Sequence, residues 1–376
     1  MSTASPHPEE LMALRLRNQQ ISVSRPRFKT PAQLLSWMGG IQGQDYGGAK
    51  WSIGLRLAGC SAAVVDKAIA TGSIVRTWPM RGTLHFVAAA DAHWLLALTS
   101  PGNLAAMTRR HRELNLDADT FAASASLFQN VLQGGEQLTR DELYALLLAA
   151  GIDAAGQRGY HLLWHAASSG LICGGTPQGK QQTFALLDDV TGKTPRFTPA
   201  DRPHACAELA QRYFQSHGPA TWKDFLWWSG LPAADARAGL EAITPRMVSA
   251  EWDKKVYWMM AAADSATEPG TEPKLEPDIA HALPGFDEYL LGYQDRSLVL
   301  DARHAAQVCP GNNGMFMPTM VIGQRVAGTW RRSETGRGVT VSTAPFTPLP
   351  AAKRKLFGAA ASRYAAFLGL PLRHPS

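Results

Sequence analysis

The sequence predicts an α+β protein, with helices and strand pairs in residues 1–270 and a strand-rich unit in residues 271–376. Three observations predict this fold. Capped helical runs precede a pair of β-rich runs near the start of the chain, and the same order recurs twice further along. After a Glu- and Pro-rich stretch at residues 271–277, which is typical of a linker, the pattern changes to strands.

The first unit, residues 1–100, begins with helices and ends with a hairpin. A helix is predicted to begin at Pro31 with Thr30 as its N-cap, because proline suits the first helical position and threonine caps well. Two β-rich runs follow at residues 74–78 and 83–87. Helices followed by a two-stranded hairpin are the plan of a winged helix, so a winged-helix unit is predicted here.

The same order recurs in residues 101–200 and 201–270, where Thr139 and Thr221 are the predicted helix caps. The strands predicted in these two units lie at residues 171–173, 183–186, 247–248 and 256–258. The repetition predicts three winged-helix units in tandem.

The pattern of residues 271–376 predicts a small β-rich domain closed by a helix. Its predicted strands lie at residues 298–300, 319–322, 326–330 and 339–341. Gly323 suits a hairpin turn between the second and third of these strands. The closing helix is predicted from Ala351 to Leu368.

Composition and charge restrict the function. The net charge of +6 permits a polyanionic partner without requiring one, and arginine suits phosphate because its planar fork binds two oxygens. The four cysteines are far apart and form no C-x-x-C pair, which argues against a zinc site or a disulfide framework. Neither a signal-peptide pattern nor a long apolar run is present. The sequence therefore predicts a cytoplasmic monomer without metal, cofactor or membrane span.

Residues 39–48 (GGIQGQDYGG) are the most informative stretch, because Gln42 and Gln44 lie two apart among several glycines. Glycine favours a tight connection, so both amides are expected to be displayed and not buried. Each amide carries an acceptor and a donor, and two of them could hold a water or a sugar without formal charge. The alternative is a pair of ordinary solvated glutamines.

Four motifs in order resemble the AlkZ-like winged-helix DNA glycosylases, the family that also contains YcaQ-type proteins. The motifs are residues 42–44 (QGQ), 76–85 (RTWPMRGTLH), 283–296 (LPGFDEYLLGYQDR) and 321–330 (VIGQRVAGTW). The resemblance covers nearly the full length and implies a C-shaped body of three winged helices and a β-domain that clasps double-stranded DNA. It further implies cleavage of the glycosidic bond of bulky or crosslinked alkylated purines.

The resemblance assigns the catalytic centre to a Q-x-Q pair, which makes Gln42 and Gln44 the catalytic candidates. The middle residue is usually aliphatic in the family, and Gly43 departs from that pattern. A glutamine carbonyl can orient water and face a developing sugar cation, which suits cationic N7-alkylated bases. Asp45 is the alternative base, although a helix cap explains it equally well. No lysine lies inside the motif, so base excision without strand cleavage is expected.

Other residues are weaker candidates. His85 could support catalysis or contact the lesion, and Arg81 could contact phosphate, although a buried hydrogen bond also explains His85. The further DNA-binding candidates are Lys50, Arg325, Arg331 and Arg332. Of these, the three arginines fit a probe against the minor groove, and their alternative is a solvated sheet edge.

An acidic pair, Asp287 and Glu288, lies close in sequence to Asp295 and Arg296. This pattern predicts a structural turn held by an ion pair that fixes the β-domain against the helices. Two other functions stay open at this point. One is a non-catalytic winged-helix regulator that binds DNA, and the other is a self-resistance protein that binds the toxic small molecule itself.

Overall fold

The computed structural model describes residues 7–21, 27–192, 197–261 and 279–373. Its mixture of helices and sheets confirms the predicted α+β class. The predicted linker at residues 271–277 lies outside the described residues. Within the described ranges, no helix has both the length and the apolar character needed to cross a membrane.

The first part of the chain contains five helices and three strands in its described residues. They are α1 (Pro8–Asn18), α2 (Pro31–Met38), β1 (Ile41–Gln42), α3 (Tyr46–Gly54), α4 (Ala62–Ala70), β2 (Ile74–Thr77), β3 (His85–Ala88) and α5 (Ala89–Ala106). Helix α2 begins as predicted, because the Thr30 side chain accepts the Gln33 N–H at 3.2 Å. Strand β1 was not predicted.

The next part adds the elements α6 (Thr108–Glu113), α7 (Ala118–Leu132), β4 (Leu138–Thr139), α8 (Arg140–Ala149), α9 (Arg158–Ser168), β5 (Ile172–Gly174), β6 (Thr183–Leu186) and α10 (Leu187–Thr191). The first six strands form one sheet in the order β1-β3-β2-β5-β6-β4. Arg76 of β2 lies opposite Gly174 of β5, so the predicted first and second hairpins join edge to edge. The number of winged-helix units, the domain boundaries and the C-shape stay predictions.

The third part contains α11 (Arg202–Ser216), α12 (Trp222–Ser229), α13 (Ala233–Ile243), β7 (Met247–Trp252) and β8 (Lys255–Met260). Strands β7 and β8 form a separate antiparallel hairpin. The Thr221 side chain accepts the Asp224 N–H at 3.2 Å, which confirms the predicted cap of α12. Thr139 caps α8 in the same way.

The last part contains β9 (Ala280–Leu283), α14 (Glu288–Leu291), α15 (Ala305–Val308), β10 (Thr319–Ile322), β11 (Arg325–Thr335), β12 (Gly338–Pro345), α16 (Ala351–Leu368) and β13 (Leu372–Arg373). The sheet order is β13-β12-β11-β10-β9. The strand predicted at residues 298–300 is wrong. The N–H groups of Val299 and Leu300 both donate to the Arg296 carbonyl, so this apolar run is buried in a helical turn.

One apolar core joins the first part of the chain to the last. Leu34 and Phe86 belong to the same buried cluster as Trp330 and Tyr364, and all four are essentially inaccessible. Helix α16 contacts both the last sheet and α3. The connection between β1 and α3 therefore lies where two parts of the fold are packed into one body.

Gly54 of α3 lies directly against Phe367 of α16. A Cβ atom at Gly54 would lie 2.3 Å from Cε2 of Phe367. We expect Gly54→Ala to lower the free energy of unfolding by about 1–3 kcal/mol, because a packed core absorbs an added methyl poorly. Urea denaturation measures the free energy of unfolding. The matched control is Gly358→Ala in α16, where the added Cβ meets open space and the free energy of unfolding should rise. Unchanged stability in Gly54→Ala would contradict this packing.

Candidate active site

The two glutamines lie at the junction of β1 and α3. Gln42 ends β1, lies opposite His85 of β3, and is 8% exposed, whereas Gln44 is exposed. The expectation that both amides are displayed is therefore right for Gln44 and wrong for Gln42, because pairing with β3 draws Gln42 against the sheet. Neither glutamine side chain makes a hydrogen bond to another described residue.

Gly43 is held from both sides of its backbone. Its N–H donates to the Leu84 carbonyl at 2.7 Å. Its carbonyl accepts from Nε and Nη2 of Arg76 at 3.0 and 2.8 Å. The centre of the Q-x-Q motif is thus restrained without the aliphatic side chain that is usual in the family.

Asp45 is engaged twice in the structure. Its carboxylate caps α3 by accepting the Gly48 N–H at 3.0 Å. Nη2 of Arg332 donates to both carboxylate oxygens, at 2.9 and 3.0 Å. This geometry agrees with the capping interpretation, and it ties β11 to the glutamine segment. A role for Asp45 as the alternative base stays a prediction.

Two glycines of the segment differ in the space around them. At Gly48 a Cβ atom would lie 2.4 Å from Oδ2 of Asp45, whose carboxylate is already fixed. We expect Gly48→Ala to lower the melting temperature, because the helix cap must be displaced. At Gly43 the nearest atom to a Cβ would be 3.4 Å away, and its φ is not positive. Gly43→Ala, the control, should keep or raise the melting temperature. Equal melting temperatures for the two variants would contradict this difference.

Glu288 lies behind the segment and was not predicted as part of the site. It is fully buried, and its Oε1 accepts the backbone N–H of Gln42 at 3.2 Å. Its Oε2 accepts Nε1–H of Trp228 at 3.0 Å and lies 3.3 Å from Nε2 of His217. Burial opposes ionisation, but the hydrogen bond from His217, the largest of the opposing contributions, helps to lower the pKa of the Glu288 carboxyl.

Asp287 pairs with a residue that the sequence did not indicate. Its two oxygens accept from Nη1 and Nη2 of Arg56, each at 2.9 Å, and Ser52 Oγ donates to it at 2.6 Å. The predicted ion pair with Arg296 is wrong, because Arg296 donates to the Leu290 carbonyl. The predicted attachment of the β-domain to the helices is nevertheless present, through Arg56 of the α3 region.

Asp295 likewise has another partner. It accepts a hydrogen bond from Nζ of Lys255 at 2.5 Å, which joins the turn after α14 to β8. The predicted turn grouped Asp295 with Asp287, Glu288 and Arg296, but the partner of Asp295 in the structure is 40 positions away along the chain.

Arg81 and His85 face the interior beside Glu288. Nδ1 of His85 lies 2.8 Å from the Thr83 carbonyl, to which it donates. Burial and then the charge of Arg81 lower the pKa of His85 to about 4, so the ring is neutral near pH 7. Arg81 donates to the Trp228 carbonyl and lies over the Trp227 ring at 4.8 Å. The buried hydrogen bond considered for His85 is present, and the contacts of both residues with DNA stay predictions.

The other basic candidates occupy different positions. Lys50 pairs with Asp66 at 2.6 Å. Arg325 and Arg331 are exposed, and no ion pair to either is present among the described residues. Arg325 and Arg331 are six positions apart along β11, which corresponds to about 20 Å at the usual rise of a strand. The two side chains therefore do not lie together at the tip of the hairpin. Arg332, by contrast, is held by Asp45.

Comparison with known proteins shows the family to which the chain belongs. The family model of AlkZ-like DNA glycosylases matches residues 35–367. The chain belongs to the AlkZ-like DNA glycosylase family.

A protein and a solved structure, both from Streptomyces sahachiroi, are similar to this chain. An interstrand DNA cross-link repair glycosylase is 26% identical over 336 residues, which cover 85% of this chain and 86% of that protein. The solved structure of DNA glycosylase AlkZ matches with a TM-score of 0.78 and 23% identity, over 99% of this chain and 100% of that chain. The second comparison shows a shared fold.

Proposed function

We propose that this protein is a monofunctional DNA glycosylase that hydrolyses the N-glycosidic bond of cationic N7-alkylated purines in double-stranded DNA. Bulky N7 adducts and interstrand crosslinks are its candidate substrates, by analogy with the cross-link repair glycosylase it resembles. The observation that carries the proposal is the exposed Gln44 beside Gln42 on an anchored segment of a chain that belongs to this family. We propose that the protein acts as a cytoplasmic monomer without a cofactor.

The chemistry explains why two neutral amides suffice. Alkylation at N7 places positive charge on the purine, which is then a good leaving group. The remaining barrier is the development of an oxocarbenium-like sugar and the delivery of water to it. The carbonyl dipole of a glutamine can orient that water and face the cation, and one preorganised polar group of this kind contributes about 3 kcal/mol.

The surroundings of the pair favour cationic over neutral substrates. A neutral purine needs a proton donor at the departing base. Near the pair, Asp45 is ionically paired with Arg332 and His85 is buried and neutral near pH 7. The proposed substrate class therefore excludes neutral purines such as hypoxanthine.

The proposed absence of strand cleavage is supported by the lysine that is nearest to the motif in sequence. Lys50 is the fifth residue of α3 and pairs with Asp66 at 2.6 Å. An amine that is held by a carboxylate is poorly placed to form a Schiff base with the sugar. We therefore expect an abasic product with intact strands.

The proposed DNA contacts divide into two groups by their state in the free protein. Arg325 and Arg331 are exposed and available to phosphate. Lys50 and Arg332 are paired with protein carboxylates and would exchange these partners for phosphate on binding. Since each phosphate contact releases counterions, we expect the affinity for duplex to fall steeply with salt concentration.

The deciding experiment measures release of free base from two duplexes, one with a single N7-methylguanine and one with a bulky N7 adduct. A duplex containing hypoxanthine is the control. We expect free base from the first two, and strand scission only after alkali. Scission without alkali would contradict monofunctional action. If the protein bound both alkylated duplexes but released nothing, a non-catalytic DNA-binding protein would be the better account.

A further inference from the structure

We infer that Glu288 is a positioning residue that fixes the backbone of Gln42 and so holds the catalytic amide in place. The inference rests on the proposed glycosylase function and adds to it a residue 246 positions away from Gln42 along the chain. Glu288 is fully buried, so it acts through Gln42 and not on the substrate.

Strand β1 needs such a partner because of its place in the sheet. It is two residues long and lies at the edge of the six-stranded sheet. The Gly43 N–H donates to Leu84, and alternation along an antiparallel pair directs the preceding N–H, that of Gln42, to the open edge. Oε1 of Glu288 accepts this N–H, so a carboxylate replaces the missing neighbouring strand.

The opposite side of the carboxylate is anchored to the third part of the chain. Oε2 accepts from Trp228 of α12, and His217 follows the last residue of α11. Burial lowers the pKa of His217, so the ring is neutral near pH 7. The carboxylate of Glu288 can only accept a hydrogen bond, so Nε2 of His217 carries the proton and donates to Oε2 at 3.3 Å. Glu288 thus connects β1 with α11, α12 and α14.

The neighbouring residue shows that burial alone does not confer this role. Asp287 is also a buried carboxylate, 2% exposed, but its oxygens bind Arg56, Ser52 and the Tyr289 N–H. No hydrogen bond joins Asp287 to Gln42 among the described residues. Two adjacent acids therefore have different tasks: Asp287 attaches the β-domain to the α3 region, and Glu288 sets the position of the glutamine segment.

The test compares wild type, Glu288→Gln and the matched control Asp287→Asn. The single-turnover rate of base release and the Kd are measured on a duplex with one N7-methylguanine, below the melting temperature of each variant. We expect Glu288→Gln to lower the rate at least about 10-fold at unchanged Kd. An amide has one oxygen, so its NH2 group must face either the Gln42 N–H or the donors of Trp228 and His217, and a displacement of about 1 Å costs up to about 100-fold. Asp287→Asn should lose thermal stability and keep the rate of the folded protein. Equal rates for Glu288→Gln and an active wild type would overturn the inference.

Two further measurements cover a Glu288→Gln variant that does not fold and a wild type that releases no base. If Glu288→Gln shows no cooperative unfolding, Glu288→Asp replaces it, because the shorter acid keeps its charge but withdraws from Gln42. In the wild type, hydrogen exchange of the Gln42 amide tests the contact without any substitution. Strong protection is expected, and exchange at the rate of exposed chain would overturn the inference. A wild type that released no base would contradict the proposed function, while the exchange result would still decide the contact.

Discussion

Replacing Gln44 with alanine is expected to slow release of an N7-alkylated purine by about 100-fold or more, because one preorganised polar group at a developing charge is worth that much. Gln44 is exposed and makes no hydrogen bond to a described residue, so its amide is available to water and to the sugar. Gln42→Ala should have a similar effect on the rate. The measurement is single-turnover base release together with the Kd for the same duplex.

The Kd distinguishes loss of chemistry from loss of binding. A neutral amide adds no counterion release, so neither substitution should change the salt dependence of DNA affinity. Gln133→Ala, at an exposed position just after α7, is the matched control and should keep the wild-type rate. If Gln42→Ala and Gln44→Ala both released base at the wild-type rate, the chemistry would lie elsewhere, and Asp45→Asn would be the next variant to measure.

Local signals in the sequence predicted much of the fold. The caps at Thr30, Thr139 and Thr221 need only their own helix, since each side chain accepts an N–H three residues ahead. The closing helix was predicted from Ala351 to Leu368, the bounds that it has in the structure. Strand β1 has no such signal, because two residues are too few for an alternating pattern and its stability depends on pairing with β3.

The candidate site was also predicted only in part, because local sequence patterns show neighbouring residues but not contacts between distant ones. The Q-x-Q pair is visible in the sequence because its residues are adjacent. Glu288 reaches Gln42 from 246 positions away, and Asp287 reaches Arg56 across 231 positions. Nothing local marks either contact. The available signal was an acidic pair that lies among apolar and aromatic residues at 283–293, which indicates burial with partners but does not name them.

Asp287→Asn is expected to lower the free energy of unfolding by about 3–5 kcal/mol, because it leaves the guanidinium of Arg56 buried without its counter-charge. Both side chains are nearly inaccessible, at 0% for Arg56 and 1% for Asp287, so solvent does not screen the change. The asparagine oxygen can still accept the Tyr289 N–H that Asp287 caps. The loss therefore reports the ion pair and not the helix cap. Urea denaturation at constant pH measures it.

The double variant Asp287→Asn with Arg56→Met separates the ion pair from its surroundings. Removing both charges relieves the uncompensated guanidinium, so the double variant should be more stable than Asp287→Asn alone. Asp301→Asn removes a carboxylate from the exposed pair with Arg303 and should leave the melting temperature unchanged. If the double variant were less stable than Asp287→Asn, packing of the Arg56 side chain, and not its charge pairing, would be what attaches the β-domain to the α3 region.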